Sequence, residues 1–331
     1  MRVLWAISSV LFLGGCATMH AGNPAVSILV DLDAASSDRT VIVESITADK
    51  DGRLYVPDRV SGNILRIDPK SPKPVTVGRI DARDIGGKKV DANAAGLIFN
   101  SQGDLFIAVG PFSAVVCIRG AEVNPAKPGL AQTFATGTSG ANGVAVDGLG
   151  NLFVSGGASG IVYRVGPNGG AAQRAVRIEK FARTLPDGKS QQATVANGIN
   201  FDGKGILHVA DTARGAIWKV TIGDNGKGDK PAMLTQSPLL EGADGFAFDR
   251  RGNIWVAANE RNAIVTVTPD GQVEQVAKND SHGPLEFPSA IVFVGDTAYI
   301  ANYDTPRREN MDANGKTALD GIGASIAQIV P

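Results

Sequence analysis

A stretch of thirteen residues recurs in similar form six times along the chain, and this repeat constrains the fold more than any other feature. Each copy joins two short apolar runs through a polar turn, which in most copies has the form Asp-x-x-Gly. The copies read ESITADKDGRLYV, AGLIFNSQGDLFI, NGVAVDGLGNLFV, NGINFDGKGILHV, DGFAFDRRGNIWV and SAIVFVGDTAYIA. They begin at Glu44, Ala95, Asn142, Asn197, Asp244 and Ser289, and successive starts are 51, 47, 55, 47 and 45 residues apart. A period of this length made only of strand signals predicts a β-propeller with one blade per repeat.

The residues between successive copies supply two further strand signals. Runs such as 216–220 (AIWKV) and 263–267 (AIVTV) predict a third strand, and a PDG or PNG turn then leads into a weaker fourth, such as 272–276. No helical periodicity of any length is present. The sequence therefore predicts an all-β, six-bladed propeller with four antiparallel strands per blade.

The sixth blade lacks a strand if only the C-terminal residues are counted. After the strand predicted at 297–301, the letters GASIAQIV at 323–330 supply a third strand and the chain then stops. We expect AVSILVDL, residues 25–32, to complete this blade from the other end of the chain, because an unpaired edge strand is prone to aggregation. Residues 25–331 are accordingly predicted to form a single propeller domain.

The first residues have the features of an export signal. Residues 1–15 contain one Arg and an apolar run, 3–13, that is too short to span a bilayer comfortably. The letters LGGC at 13–16 are similar to the lipobox of bacterial lipoproteins, which implies acylation at Cys16, a lipidated tether at 16–24 and membrane attachment through the lipid. Ala17 after the cysteine implies sorting to the outer membrane, facing the periplasm. An ordinary signal peptide that contains a cysteine is the alternative.

Charge and cysteine content exclude some classes of partner. With 32 Lys and Arg against 33 Asp and Glu, the chain lacks the clustered positive field that a nucleic-acid partner requires. The second cysteine, Cys117, lies in an apolar run and is predicted to be an inert core residue. The expected partner is a small-molecule substrate, and the oligomeric state is left open.

Four of the six copies begin with a side chain that carries a carboxylate or amide oxygen. The first strand of a blade lines the central channel, so these residues are expected at one height around its mouth: Glu44, Asn142, Asn197 and Asp244. Asn-Gly and Asp-Gly are also common turn dipeptides. However, the Asp-x-x-Gly hairpin five residues later already supplies the turn, and Ser follows Glu44 instead of Gly. Oxygen donors without His or Cys predict a hard cation, with Ca²⁺ preferred and Mg²⁺ or Mn²⁺ as alternatives.

The six copies and the order Glu, Asn, Asn, Asp resemble the SMP-30/gluconolactonase/LRE-like propellers over essentially the whole chain after the signal. This resemblance implies a catalytic divalent ion at the channel mouth with Glu44, Asn197 and Asp244 as ligands. Asn142 falls on a position that is a ligand in the related diisopropylfluorophosphatase and a substrate or water contact in sugar lactonases. The chain departs from the family where Ser45-Ile46 replaces Gly-Pro and where no Arg stands two residues before Asn142, which removes a donor for sugar hydroxyls.

The predicted function is a metal-dependent hydrolase of a lactone or related ester. Asp244 is the candidate catalytic residue, either accepting the proton of a water or attacking directly. A phosphotriesterase-like hydrolase, a non-catalytic NHL- or YncE-like binding propeller and a strictosidine-synthase-like enzyme are the alternatives.

Further residues are candidates for contact with substrate. Ser289 occupies the sixth-blade channel position, and Arg307 and Arg308 lie in a long connection, 303–322, predicted to overhang the mouth as a lid; a solvated loop is the alternative. His208 is predicted to be a satisfied core residue and His282 an exposed loop residue.

Overall fold

Alternating apolar and polar residues, broken every few positions by glycine turns, fold into sheets arranged around a channel. The computed structural model describes residues 25–33, 39–184, 188–280, 283–304 and 323–330. The strands up to the third blade are β1 Val26–Asp31, β2 Thr47–Ala48, β3 Leu54–Pro57, β4 Asn63–Asp68, β5 Ser71–Arg79, β6 Arg83–Ile85, β7 Lys88–Val90, β8 Leu97–Phe99, β9 Leu105–Val109, β10 Ala114–Ile118, β11 Gly129–Leu130, β12 Gln132–Thr136, β13 Val144–Val146, β14 Leu152–Ser155, β15 Ile161–Val165, β16 Gly170–Ala171 and β17 Gln173–Arg177.

The second half of the ring repeats the same order. Its strands are β18 Ala182–Thr184, β19 Ser190–Gln192, β20 Ile199–Phe201, β21 Leu207–Asp211, β22 Ala216–Val220, β23 Ala232–Gln236, β24 Ala243–Phe248, β25 Ile254–Ala258, β26 Ala263–Val267, β27 Val273–Lys278, β28 Pro288–Val294, β29 Thr297–Asn302 and β30 Ser325–Ile329. The described residues contain no α-helix and four short 3₁₀ turns: Gly110–Phe112, Gly120–Glu122, Pro238–Leu240 and Asn259–Arg261. None of the described helical turns has the length and apolar character that crossing a bilayer requires.

The all-β, six-bladed prediction is confirmed. Blades 3 to 6 are four-stranded and antiparallel, as in the order β24-β25-β26-β27 of blade 5. Blades 1 and 2 differ from the prediction, because each gains a short fifth strand that pairs in parallel: β11 beside β5 and β16 beside β12. In both cases the segment between the third and fourth strands of one blade pairs with the outermost strand of the preceding blade.

Two surface hairpins were not predicted. The pair β6–β7 lies between blades 1 and 2, and the pair β18–β19 lies between blades 3 and 4. These are the two longest repeats, with starts 51 and 55 residues apart, against 45 to 47 for the others. The additional residues thus extend the connections between blades and leave the blades themselves intact.

The ring is closed by the N-terminal strand, as predicted. Strand β1 pairs antiparallel with β30, with Val26 opposite Ile329 and Asp31 opposite Ser325. Blade 6 therefore has the order β1-β30-β29-β28 and combines residues from both ends of the chain. This pairing covers the edge that β30 would otherwise expose.

The core consists of six apolar layers, each between two neighbouring blades. Ile64 and Val77 of blade 1 pack with Leu105 and Val116 of blade 2, and equivalent clusters lie at the other blade interfaces. Burying an aliphatic side chain of this size contributes about 1.5–3 kcal/mol. The layers hold the first strand of every blade against the channel, and this fixes the positions of the residues at its mouth.

Candidate functional site

Glu44, Asn142, Asn197 and Asp244 are termed the ring residues. Glycines follow three of them, and close packing around the channel requires these glycines. A Cβ at Gly143 would lie 2.7 Å from the carbonyl oxygen of Asn197, and one at Gly198 would lie 2.4 Å from that of Asp244. Neither glycine is among the residues with positive φ, so neither is a left-handed turn residue. The Asn-Gly and Asp-Gly phrases therefore mark strands that approach their neighbours closely, and the alternative interpretation of these phrases as turns is wrong.

Asn197 is held in one orientation by Thr212, which directly follows the second strand of the same blade. Its Nδ2 donates to Oγ1 of Thr212 at 2.9 Å, and that hydroxyl donates its proton to the carbonyl oxygen of Ala243 at 2.7 Å. Because a hydroxyl has one proton, Oγ1 can only accept from Asn197, and the amide must direct its nitrogen there. The opposite atom, Asn197 Oδ1, is buried and has no hydrogen-bond partner among the described residues.

Asp244 is a buried carboxyl, with 8% of its surface exposed. Asn259 Nδ2 donates to its Oδ2 at 3.0 Å. Burial raises the pKa of Asp244 to about 7, against the opposing effects of the Asn259 hydrogen bond, the charge of Arg59 and the Asn197 amide. Because loss of water disfavours the charged form, this carboxyl can gain or lose a proton near neutral pH.

Glu44 lies between an amide and a guanidinium. Asn142 Nδ2 is 3.4 Å from Glu44 Oε1, and Nη1 of Arg59 contacts Oε2. The structure thus brings Glu44 together with Asn142, and Asn197 together with Asp244. The charge of Arg59 acts on Glu44 and on Asp244, so it links the two pairs.

Arg59 was not predicted from the sequence, and it has three further contacts around the mouth. Its backbone N–H donates to the carbonyl oxygen of Ile42 at 2.8 Å, and its Nε donates to Oδ1 of Asn93 at 2.6 Å. Its guanidinium carbon lies 5.6 Å from the ring centre of Tyr303. A second guanidinium, that of Arg39, is 4.9 Å from the same ring and donates to the Tyr303 carbonyl oxygen at 2.6 Å.

The residues that contact the ring residues, which were not predicted from the sequence, lie at a constant distance after them along the chain. The partners of the ring residues stand fifteen positions after them: Arg59 after Glu44, Thr212 after Asn197 and Asn259 after Asp244. Each partner follows the second strand of its blade, where antiparallel pairing returns the chain to the mouth. Residues at this offset could therefore have been listed from the repeat alone. Their types differ from blade to blade, however, and no residue pattern marks them.

Of the remaining residues predicted from the sequence, Ser289 is described by the structure and four others are not. Ser289 is buried, and its hydroxyl donates to the carbonyl oxygen of Ala301 at 3.1 Å, so its proton is committed within blade 6. A role for it in substrate binding stays a prediction. The residues predicted for lipidation, for the lid and for an exposed loop lie outside the described residues: Cys16, Arg307, Arg308 and His282.

Two predictions of inert residues are confirmed. His208 is buried, its Nδ1 is 3.2 Å from the Ile206 carbonyl oxygen, and burial lowers its pKa. Cys117 is buried, and burial raises the pKa of its thiol to about 11.

The donors at the mouth fit a hard cation in their chemistry. Among the described residues, no three His, Cys, Asp or Glu side chains cluster closely enough to form a metal centre. An ion would therefore rely on the amide oxygens as well as the two carboxylates, and the partnerless Asn197 Oδ1 suits that requirement. Below the ring, the channel cavity of about 140 Å³ has an apolar wall that includes Ile46, Val144 and Phe246.

Comparison with models of known protein families shows which family the chain belongs to. The model of the SMP-30/Gluconolactonase/LRE-like region matches residues 42–302, which is well over half of the sequence. The chain belongs to the SMP-30/gluconolactonase/LRE-like family.

Individual relatives of this SMP-30/gluconolactonase/LRE-like chain are distant. It is 27% identical over 125 residues to a 6-deoxy-6-sulfogluconolactonase of Pseudomonas putida, a match that spans 36% of this chain and 40% of that protein. A gluconolactonase of Xanthomonas campestris is 15% identical, with a TM-score of 0.62 over 94% of this chain and 90% of the other. A calcium-binding regucalcin of Agrobacterium tumefaciens is also 15% identical, with a TM-score of 0.60 over 92% and 93%. These two structural likenesses show a shared fold.

Proposed function

We propose that the chain is a hydrolase of a lactone or related ester that depends on a divalent cation, with Ca²⁺ as the preferred ion and Mg²⁺ or Mn²⁺ as alternatives. Asn197 carries most of the argument, because its amide is fixed by Thr212 so that a buried, partnerless oxygen is available beside Asp244. The family assignment and the lactonase names of two relatives support the lactone class. The regucalcin relative, named as a calcium-binding protein, supports the choice of ion.

The residues that would hold the ion are Glu44, Asn142, Asn197 and Asp244. When bound, a divalent cation supplies polarisation of the substrate carbonyl and a lower pKa for a bound water. Asn259 fixes Oδ2 of Asp244 and so sets the orientation of the carboxyl. Burial raises the pKa of Asp244 to about 7 in the ion-free protein, and the charge of a bound cation would lower it. Asp244 is the candidate to accept the proton of a water.

The proposed function is tested by ion content and by turnover in the same preparations. Protein treated with EDTA should lose hydrolysis of a lactone panel, followed by proton release, and recover it with Ca²⁺. Glu44→Gln and Asp244→Asn should each lower turnover by at least about a hundredfold, the scale of a lost catalytic group. Asp249→Asn is the matched control, because Asp249 lies in the hairpin of the same blade and bonds to Asn253 instead of the ring.

Two results would exclude this function. One is full hydrolysis in EDTA by protein that elemental analysis shows to be free of metal. The other is wild-type turnover in both ring variants. A phosphotriester panel run alongside would separate the lactonase from a phosphotriesterase-like activity.

We further propose attachment of the protein to the outer membrane, facing the periplasm, through an acylated Cys16. Expression of Cys16→Ser should move the protein from the membrane fraction to the soluble fraction. Mass spectrometry of the wild-type N-terminus should show the acyl chains. Recovery of the variant in the membrane fraction at the wild-type level would refute the anchor.

A further inference from the structure

Arg59 places a positive charge beside the ring residues, and their proposed role as ligands of a cation does not explain why a cationic side chain is there. Its side chain is only 17% exposed, and Nη1 contacts the Glu44 carboxylate, which is 15% exposed. The Nε–Asn93 hydrogen bond and the Tyr303 ring hold the guanidinium from two other directions. Its position is therefore set by several contacts, unlike that of a mobile surface arginine.

The charge balance of the mouth changes when Arg59 is included. Glu44 and Asp244 would present two negative charges to an ion if both were ionised. Arg59 cancels one of these, and Arg39, which stacks on the same tyrosine, adds further positive potential. Because Glu44 Oε2 is in contact with Arg59, that oxygen is available to an ion only after the guanidinium has withdrawn.

We propose that Arg59 competes with the divalent cation for Glu44 and thereby lowers the affinity of the site for that ion. The inference rests on the proposed function. Arg59 acts through Glu44, so it is a positioning residue and not a ligand. In the ion-free protein the guanidinium neutralises a buried carboxylate that would otherwise destabilise the fold. An ion must replace this interaction, and the measured affinity is reduced accordingly.

The size of the effect follows from the interaction that is replaced. A close and largely desolvated charge pair has a coupling free energy equivalent to at least about tenfold in a binding constant. Removing Arg59 should therefore tighten Ca²⁺ binding by at least about tenfold. Lys retains the charge but not the planar donor geometry, so Arg59→Lys should stay closer to the wild type.

The experiment is calorimetric titration of Ca²⁺ into metal-free wild type, Arg59→Met and Arg59→Lys at one ionic strength. Arg119→Met is the control for the change in overall charge, because Arg119 is an exposed side chain of blade 2 that pairs with Asp104 and not with a ring residue. We expect at least tenfold tighter binding for Arg59→Met and no change for Arg119→Met. Circular dichroism checks that each variant is folded.

A second variant keeps the test decisive if Arg59→Met does not fold. Asn93→Gly removes the acceptor of Arg59 Nε at a position whose φ of 46° suits glycine. With Arg59 held less firmly, Ca²⁺ should bind several-fold more tightly. Wild-type affinity in every folded variant would overturn the competition while leaving the proposed function intact. If neither the wild type nor any variant bound a divalent ion, both proposals would fail.

Discussion

In the ion-free protein, ionisation of Asp244 should lower the free energy of unfolding as the pH rises. Replacing Asp244 by Asn should abolish this pH dependence. The folded pKa of Asp244 is about 7, while an unfolded Asp titrates near 3.9. Between these values the folded chain holds a proton that the unfolded chain has released. Unfolding therefore releases a proton, and the free energy of unfolding falls as pH rises.

The magnitude follows from the shift of about three pKa units. At 1.36 kcal/mol per unit, the ionised carboxyl costs the fold about 4 kcal/mol once the pH is well above 7. Most of this, about 3 kcal/mol, develops between pH 5 and pH 8. The replacement amide stays neutral throughout and can still accept the hydrogen bond from Asn259.

The assay is urea unfolding of wild type and Asp244→Asn in EDTA at several pH values from 5 to 8. The stability of the variant relative to wild type should rise by about 3 kcal/mol over this range. Asp249→Asn provides the contrast: burial acts to raise the pKa of Asp249, but hydrogen bonds from Asn253, Trp255 and the backbone outweigh it and lower that pKa. The effect of Asp249→Asn on the free energy of unfolding should therefore be the same at every pH in this range. A difference between Asp244→Asn and wild type that did not vary with pH would refute the reasoning.

Three further predictions concern the fold. Arg214→Met should destabilise the protein by about 3–5 kcal/mol in urea unfolding, because it leaves the fully buried carboxylate of Asp211 without its ion pair; a loss below 1 kcal/mol would contradict this. Cys117 should react with a thiol reagent at pH 8 only as fast as the protein unfolds, since burial raises its pKa to about 11, and rapid labelling of folded protein would count against the assignment. Deleting residues 25–32 should expose the β30 edge and produce oligomers in light scattering, whereas a stable monomer would show that closure is dispensable.

The repeat made much of this structure predictable from the sequence. A blade is built from contiguous residues, so its strands and hairpins are encoded locally. The third strands at 216–220 and 263–267 were predicted to the residue. The closing strand at 25–32 was predictable because blade 6 lacked one strand and an apolar run precedes the first repeat.

The sequence also predicted the ring residues, but it could not assign the glycines that follow them. Asn-Gly suits a turn and a close strand contact equally well. Only the neighbouring blade decides between them: the carbonyl oxygen of Asn197 occupies the space that a Cβ at Gly143 would need.

The repeat gives the positions of the supporting residues, but their roles depended on tertiary structure. At the fifteen-residue offset the types include Arg59, Thr212 and Asn259, which share no chemistry that a pattern could detect. They act together because strand pairing returns each one to the mouth beside its own ring residue. The sequence by itself therefore determined the number of blades and their closure, and it predicted which oxygens face the channel. Which of those oxygens is fixed, neutralised or left without a partner was decided by packing, since burial and hydrogen bonding depend on neighbours that are distant along the chain.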